Sequence, residues 1–291
     1  MSYKEIDPKS IKTPELHGLL LGSIAPRPIA FASTIDKEGN VNLSPFSFFN
    51  VFGANPPILI FSPARRGRNN TTKHSYENVK EVAEVVINIA NYPMVEQMSL
   101  SSTEYDKGVN EFIKSGLTEA KSTKVKPPRV AESPVAFECK VNEVIETGPN
   151  GGAGNLVICE VIHIHLNEDI LDENGKVDPF KLDPIGRLGG NWYSRSKNAL
   201  FEVEKPLQKL GIGVDALPEF IKNSKTLSGN DLGKLGNIEK LPTSENLKSV
   251  EFPEGFEKVD NKTTTEEIHN LAHTLLEKGK VMQAWKVLLS Q

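Results

Sequence analysis

The chain has 291 residues, 38% of them apolar and 25% charged, which is enough to bury one or two globular cores and argues against disorder throughout. A formal charge of -4 and a pI near 6.0 argue against broad binding to nucleic acid or anionic membrane. No run reaches the ~20 apolar residues that span a bilayer, Met1–Asp7 lacks an apolar signal core, and Cys139 and Cys159 are too few for a disulfide framework, a four-thiolate zinc site or an iron–sulfur cluster. The expectation is a soluble cytoplasmic protein with no nucleic-acid or membrane partner, whose redox chemistry, if it has any, depends on a bound cofactor.

Residues 1–21 join a polar start to the apolar patch Leu16–Leu21, a short helical lead-in. The first strand is expected over Ser23–Thr34, where Ile29, Phe31 and Ser33 alternate with Ala30, Ala32 and Thr34. Ala25-Pro26-Arg27-Pro28 reads as its extended entrance, because proline fixes φ and removes a donor, and it would present Arg27 outward. Arg27 is then either an anion ligand or an ordinary solvated charge. Asp36–Asn40 supplies a turn, and Val41–Leu43 resumes the extended pattern, giving a hairpin. Beyond it, Ser44–Asn50 (SPFSFFN) sets hydroxyls, backbone donors and flat rings side by side, among them Ser47, Phe48, Phe49 and Asn50. That mixture suits a phosphorylated aromatic ligand such as a flavin.

Pro56-Pro57 precedes a buried strand at Ile58–Phe61. Ser62–His74 follows, with Arg65, Arg66, Arg68 and Lys73 interleaved with Asn69, Asn70, Thr71 and Thr72 ahead of a helix expected at 75–83. Arg forks, Thr hydroxyls and a helix N-terminus can together cradle a phosphate without a glycine-rich loop. The other reading is a solvated basic loop. Val85–Ala90 is a strand, Met94–Leu100 an amphipathic helix, and 101–130 a loop-rich stretch in which 101–106 could cover a cleft and 112–117 a turn or two of helix. Residues 135–142 and 156–166 read as a hairpin that sets Cys139 and Cys159 nearly opposite each other, either as buried free thiols, the commoner outcome in a cytosolic protein, or as a cross-strand disulfide.

Gly148–Gly154 joins two strands rather than a strand and a helix, so the dinucleotide-fold fingerprint fails on context. His163 and His165 share a strand face but lack a third ligand of evident spacing, so no metal is expected. Asp183–Tyr193 holds Gly190, Trp192 and Tyr193, either a ligand-approaching turn or a tight turn packed on the core. From 206 onward short helices are expected: one at Leu217–Ile221, turn-rich chain at 228–237, and a capping box at Thr264–Glu267. That box opens a stripe of Ile268, Leu271, Ala272, Leu275 and Leu276, and beyond Gly279 a last helix carries Met282, Trp285, Leu288 and Leu289. The domains are 1–205 and an extension, 206–291, packing on the first or on a partner subunit.

Pro26-Arg27-Pro28 with Phe31-Ala32-Ser33-Thr34, Ser44–Asn50, Pro56-Pro57, Val86–Ile89 and Arg187-Leu188-Gly189-Gly190 together resemble the flavin reductase-like, FMN-binding split-barrel family. That family includes flavoredoxins and the reductase components of two-component monooxygenases. The resemblance implies a mainly β fold with peripheral helices, a split β-barrel plus a loop-and-helix C-terminal extension, and a homodimer with FMN near its interface. Where many members resemble Lys-Asp-Thr, this chain has Asn69-Asn70-Thr71. The phosphate shell then falls to Thr71, Thr72, backbone donors and Arg68 or Lys73, with Arg27 as a further charge.

The expected cofactor site comprises Arg27, Ser33, Thr34, Ser47, Phe48, Phe49, Asn50, Arg68, Asn70, Thr71, Thr72, Gly190 and Trp192. No catalytic side chain is expected, because a hydride passes from NAD(P)H to the flavin while the protein orients the two. The expected function is an NAD(P)H-dependent flavin oxidoreductase serving a monooxygenase or electron-transfer partner. A non-catalytic FMN electron carrier and a flavin-free binding barrel are the alternatives.

Overall fold

Pro14 in the first turn of helix α1 (Thr13–Ser23) fits a position where no backbone donor is needed. The helix runs through Ser23, so the first strand does not begin there. Pro26 and Pro28 have no N–H to give a ladder, and strand β1 is confined to Ala30–Ile35. It pairs antiparallel with β2 (Val41–Phe46), Ala30 opposite Phe46 and Ile35 opposite Val41, around a turn whose Gly39 has φ 90°. The chain continues through β3 (Phe49–Ala54), β4 (Pro57–Phe61), α2 (His74–Glu81), β5 (Glu84–Ile89), α3 (Val95–Leu100) and α4 (Glu111–Ser115). Then come β6 (Glu119–Ala120), β7 (Arg129–Val130), β8 (Val135–Glu146), β9 (Asn155–Leu166), α5 (Pro179–Leu182), β10 (Ile185–Arg187) and β11 (Tyr193–Arg195). This is a computed structural model, describing residues 1–203, 205–206, 210–253 and 263–290, and the chain divides into two units, Met1–Leu200 and Phe201–Gln291.

Seven strands form one antiparallel sheet in the order β2-β1-β5-β8-β9-β4-β3. Its two edges, β2 and β3, are consecutive in the chain and joined only by Ser47 and Phe48. Three Cα–Cα steps span about 11 Å at most, so the two edges must lie close together where they are joined. The sheet therefore curls round on itself. Phe46 of β2 and Phe61 of β4, four strands apart in between, meet inside it with ring centroids 5.5 Å apart. The result is the mainly β, split-barrel architecture with peripheral helices, in which one seam is closed by the chain itself and not by a ladder.

The interior holds Ala30, Ala32, Phe46, Phe61, Ile87, Cys139, Val157 and Cys159. Residues of opposite parity in β1, Ile29 just before it and Phe31, face a second cluster with Leu43, Met94, Met98, Phe112 and Ile185. Both faces of β1 are thus covered, which explains its uninterrupted run of buried residues. In the β8–β9 hairpin Cys139 lies opposite Val161, and Cys159 opposite Val141. The thiols are diagonal neighbours, free and buried, and not directly opposed. Two irregularities in the hairpin, an extra residue at Ile162 in β9 and another at Asn142 in β8, shift the register that simple counting would give.

Glu138 is fully buried and accepts hydrogen bonds from the backbone N–H groups of Thr123 (2.7 Å), Lys124 (2.5 Å) and Val125 (3.1 Å). Its Oε1 also lies 2.5 Å from His165 Nε2. Burial alone would raise its pKa, but the three N–H groups and His165 outweigh it and hold the carboxyl below its ordinary value.

The second unit contains α6 (Glu219–Lys222), α7 (Gly229–Gly236), α8 (Ser244–Lys248), α9 (Thr265–Glu277) and α10 (Val281–Leu288). The expected capping box forms at Thr264 and Glu267, and the stripe Ile268, Ala272, Leu275 and Leu276 is buried with Trp285 and Leu288 in a core of this unit's own. The stretch 228–237, read as turns, is largely helical. Ser228 and Asp231 make a second capping box, and Leu235 delivers α7 to the same core.

Glu138→Gln should destabilise the protein by about 1–3 kcal/mol at neutral pH, since an amide cannot accept from every donor around it. A carboxyl with a depressed folded pKa contributes stability above its unfolded pKa, about 4.3, and loses it as pH falls through the lower folded value. Urea unfolding should therefore show the gap between the two proteins closing below about pH 4.3, and parallel curves would count against this role.

Candidate functional site

The two-residue joint between the sheet edges is built around Arg27. Contrary to the outward position expected, Arg27 is 6% exposed. Its Nη1 donates to the carbonyls of Leu21 (2.7 Å) and Ile24 (2.5 Å), its Nη2 to Leu188 O (3.1 Å), and its Nε to Ser47 Oγ (3.2 Å). Its backbone also exchanges both hydrogen bonds with Arg187. Burial, and then the nearby Arg187 charge, lower its pKa. The guanidinium is thus spent on tying α1, the joint and the β10–β11 hairpin together. Gly186 permits that approach, because a Cβ there would lie 2.6 Å from Pro26 Cβ and 2.9 Å from Ser194 Oγ.

Beside the joint lies a cleft of about 490 Å³, lined by Ile29, Pro45 and Ser47, by Met98, Ser99 and Ser102 at the end of α3, and by Arg187 and Tyr193. The Arg187 guanidinium stacks 4.6 Å from the Tyr193 ring centroid, and its Nη1 donates to Trp192 O at 2.9 Å. The cleft has the volume of a small-ligand site, and its walls are more polar than apolar, with Glu96 and Asn191 also on them.

Two residues beyond Ser102, the Glu104 carboxylate is held by three cations. Arg66 Nε lies 3.2 Å from it, Arg68 Nη2 2.8 Å and Lys73 Nζ 3.7 Å. Desolvation would raise the Glu104 pKa, but Lys73, Arg66 and Arg68 outweigh it and lower it. Lys73 is itself lowered, by burial and by Arg66, against the pull of Glu104. Burial also lowers His74, which keeps its imidazole neutral at pH 7. Arg66 further donates to Thr71 Oγ1 (3.1 Å) and to the carbonyl of Thr72.

Of the side chains expected to bind a cofactor, the structure brings together two groups. Ser47 is on the cleft wall, with Arg27 behind it. Arg68, Thr71 and Thr72 belong to the cationic loop, where Thr71 donates to Asn69 Oδ1 and Thr72 to Glu77 Oε1. Asn70 shapes that loop from the left-handed region, φ 55°, accepting from Arg65 Nε and donating to Pro149 O.

The others are elsewhere. Ser33 and Thr34 are fully buried, Ser33 with β2 and β5 paired on either side and Thr34 accepting from Asn78, so neither can reach a ligand. Phe48 packs edge-on to His17, Phe49 turns into the barrel, and Asn50 is exposed, accepting from Val51 N. Gly190 takes φ 58° at an exposed turn, and Trp192 is 76% exposed, so its neighbour Tyr193 supplies the ring in the cleft.

The sequence reading missed the clustering of Arg66, Lys73 and Glu104 and the contribution of α3. Only the hint that 101–106 covers a cleft pointed there, because the pairing spans more than thirty residues. It also missed that Glu138 completes a group with His163 and His165, whose ligand atoms lie within 4.8 Å of one another. The strand register, Glu138 opposite His163, supplies what spacing along the chain could not. The Glu138 carboxylate is already engaged by three N–H groups and His165.

The family model for a flavin reductase-like domain matches residues 21–181. The chain belongs to the flavin reductase-like family. A protein of Aquifex aeolicus is 40% identical over 181 residues, 62% of this chain and 90% of its own. Among solved structures, nitrilotriacetate monooxygenase component B from Bacillus cereus has a TM-score of 0.64 at 29% identity, covering 70% of this chain and 99% of its own. The 2-nitrobenzoate 2-nitroreductase of Pseudomonas fluorescens has a TM-score of 0.63 at 26% identity, covering 72% and 100%. Within this flavin reductase-like family the chain shares the split-barrel fold. No helix among the described residues is long and apolar enough to cross a membrane.

Arg27→Lys should destabilise the first unit by about 1–3 kcal/mol, because one ammonium cannot replace a fork that reaches three carbonyls and a hydroxyl. Chemical denaturation would measure it, and a variant as stable as the parent would remove Arg27 from its place as the tie of the joint.

Proposed function

We propose that the protein binds FMN and acts as an NAD(P)H-dependent flavin oxidoreductase. One observation carries this reading: three cations converge on a single anion position two residues from the wall of a cleft of about 490 Å³. The donor set fits a phosphorylated flavin, since a carboxylate already sits among Arg66, Arg68 and Lys73 as a phosphate group would. Those cations, with Thr71, would hold the phosphate, and Pro45, Ser47, Met98 and Tyr193 would wall the ring. Bound FMN supplies two-electron chemistry, accepting a hydride from a reduced nicotinamide and passing electrons on.

The chain's own residues supply placement. Arg27 fixes the Ser47 hydroxyl by donating to it, which leaves the Ser47 O–H free to donate toward the cleft. Arg187, held over Tyr193, adds a positive charge to the same wall, and Met98 and Ile29 keep part of the cleft apolar. Electron delivery to a monooxygenase or another electron-transfer partner is supported by the likeness to nitrilotriacetate monooxygenase component B.

A homodimer is supported by the C-terminal end of β9, where Ile162, Ile164 and Leu166 are exposed. Apolar side chains grouped in this way at one strand end need cover. Ile164→Asp should convert a dimer to monomers in analytical ultracentrifugation, and a variant with unchanged mass would place the dimer contact elsewhere.

Ser47→Ala and Thr71→Ala should each weaken FMN binding, roughly fivefold for a hydrogen bond worth about 1 kcal/mol, as read by quenching of flavin fluorescence. Anaerobic addition of NADH or NADPH to the FMN-loaded protein should bleach the yellow colour. Retained colour with FMN still bound would sink the reductase reading and leave a flavin carrier.

A further inference from the structure

Glu104 is not on the cleft wall, yet it occupies the point where the cationic loop would receive an anion. Its carboxylate oxygens are divided between Arg66 and Lys73 on Oε1 and Arg68 on Oε2, and its side chain is 45% exposed. The segment that carries it is held from the α3 side only by local bonds, in which Ser102 and Thr103 hydroxyls donate to the carbonyls of Ser99 and Leu100. No described backbone ladder pins residues 103–106 to a strand. The carboxylate, itself 45% exposed on such a segment, can be exchanged for another anion that keeps the three cations paired.

We infer that Glu104 is an internal competitor for the phosphate position, a built-in anion that lowers the cradle's affinity for any phosphate that must displace it. This rests on the FMN reading above. The three cations bring three positive charges, and Glu104 cancels one of them. A phosphate monoester carries about -1.5 to -2 at pH 7 and three acceptor oxygens, so it replaces each of the bonds that Glu104 makes and adds charge. Riboflavin has no phosphate and cannot make the exchange. The carboxylate also keeps three clustered cations from facing one another without a counter-charge while no ligand is bound.

The test is Glu104→Gln, which keeps the shape and removes the charge, with Glu104→Ala as a second variant. Titration should show FMN binding roughly tenfold tighter in both variants and riboflavin binding unchanged. FMN binding that is unchanged or weaker in the variants would overturn the inference while leaving the FMN reading standing. Inorganic phosphate, followed by calorimetry, separates the two claims. If no form binds FMN but the variants gain phosphate binding over the parent, the competitor role stands and the FMN reading falls. If the variants gain no phosphate affinity, the competitor role falls as well.

Discussion

The two-residue joint at Ser47-Phe48 is the constraint on which the rest of the first unit depends. It compels the opposite edges of a seven-stranded sheet to meet, although no ladder of hydrogen bonds joins them. What a ladder would have supplied comes instead from a single buried guanidinium. Arg27 gathers the end of α1, the joint and the β10–β11 hairpin by four hydrogen bonds, and the cleft forms where those pieces converge. Backbone that is not spent on pairing with a neighbouring strand is free to face a ligand, which is why a seam is a suitable place for a binding site.

Two carboxylates show how differently the same group serves this fold. Glu138 is enclosed, and its partners are mainly backbone N–H groups that cannot move without moving the strand and loop that own them. Glu104 is half exposed, and its partners are the flexible ends of Arg66, Arg68 and Lys73. The first arrangement fixes structure at all salt concentrations, whereas the second is screened by ions and open to exchange. Both carboxyls are held in the charged form, by rigid dipoles in one case and by mobile charges in the other.

The sequence was most legible where structure is local. Alternation over Ala30–Phe46, the loop at 148–154 between long strands and the capping box at Thr264 all follow from neighbours within a few positions. The basic run before α2 reads as an anion cradle or a solvated loop, and of the Ser44–Asn50 knot Pro45 and Ser47 line the cleft. Illegible were the features that depend on which distant segments meet. Pro-Arg-Pro reads as an exposed entrance because nothing nearby shows that Leu188, over one hundred and sixty residues on, will offer a carbonyl to that arginine. Ser33 and Thr34 look like available hydroxyls until β1 is seen to be covered on both faces. The aromatic contributed to the cleft is Tyr193 and not Trp192, a difference of one residue that only the pairing of β11 with β10 decides.

The two thiols of the β8–β9 hairpin bear on the durability of such a protein. A cysteine is oxidised chiefly as its thiolate, and only where an oxidant can reach it. The Cys139 thiol is pushed far upward by its hydrogen bond with Cys159 and by burial, and both sulfurs are closed off from solvent in the barrel interior. Both of the chain's cysteines are therefore packed where an oxidant in solution does not reach them.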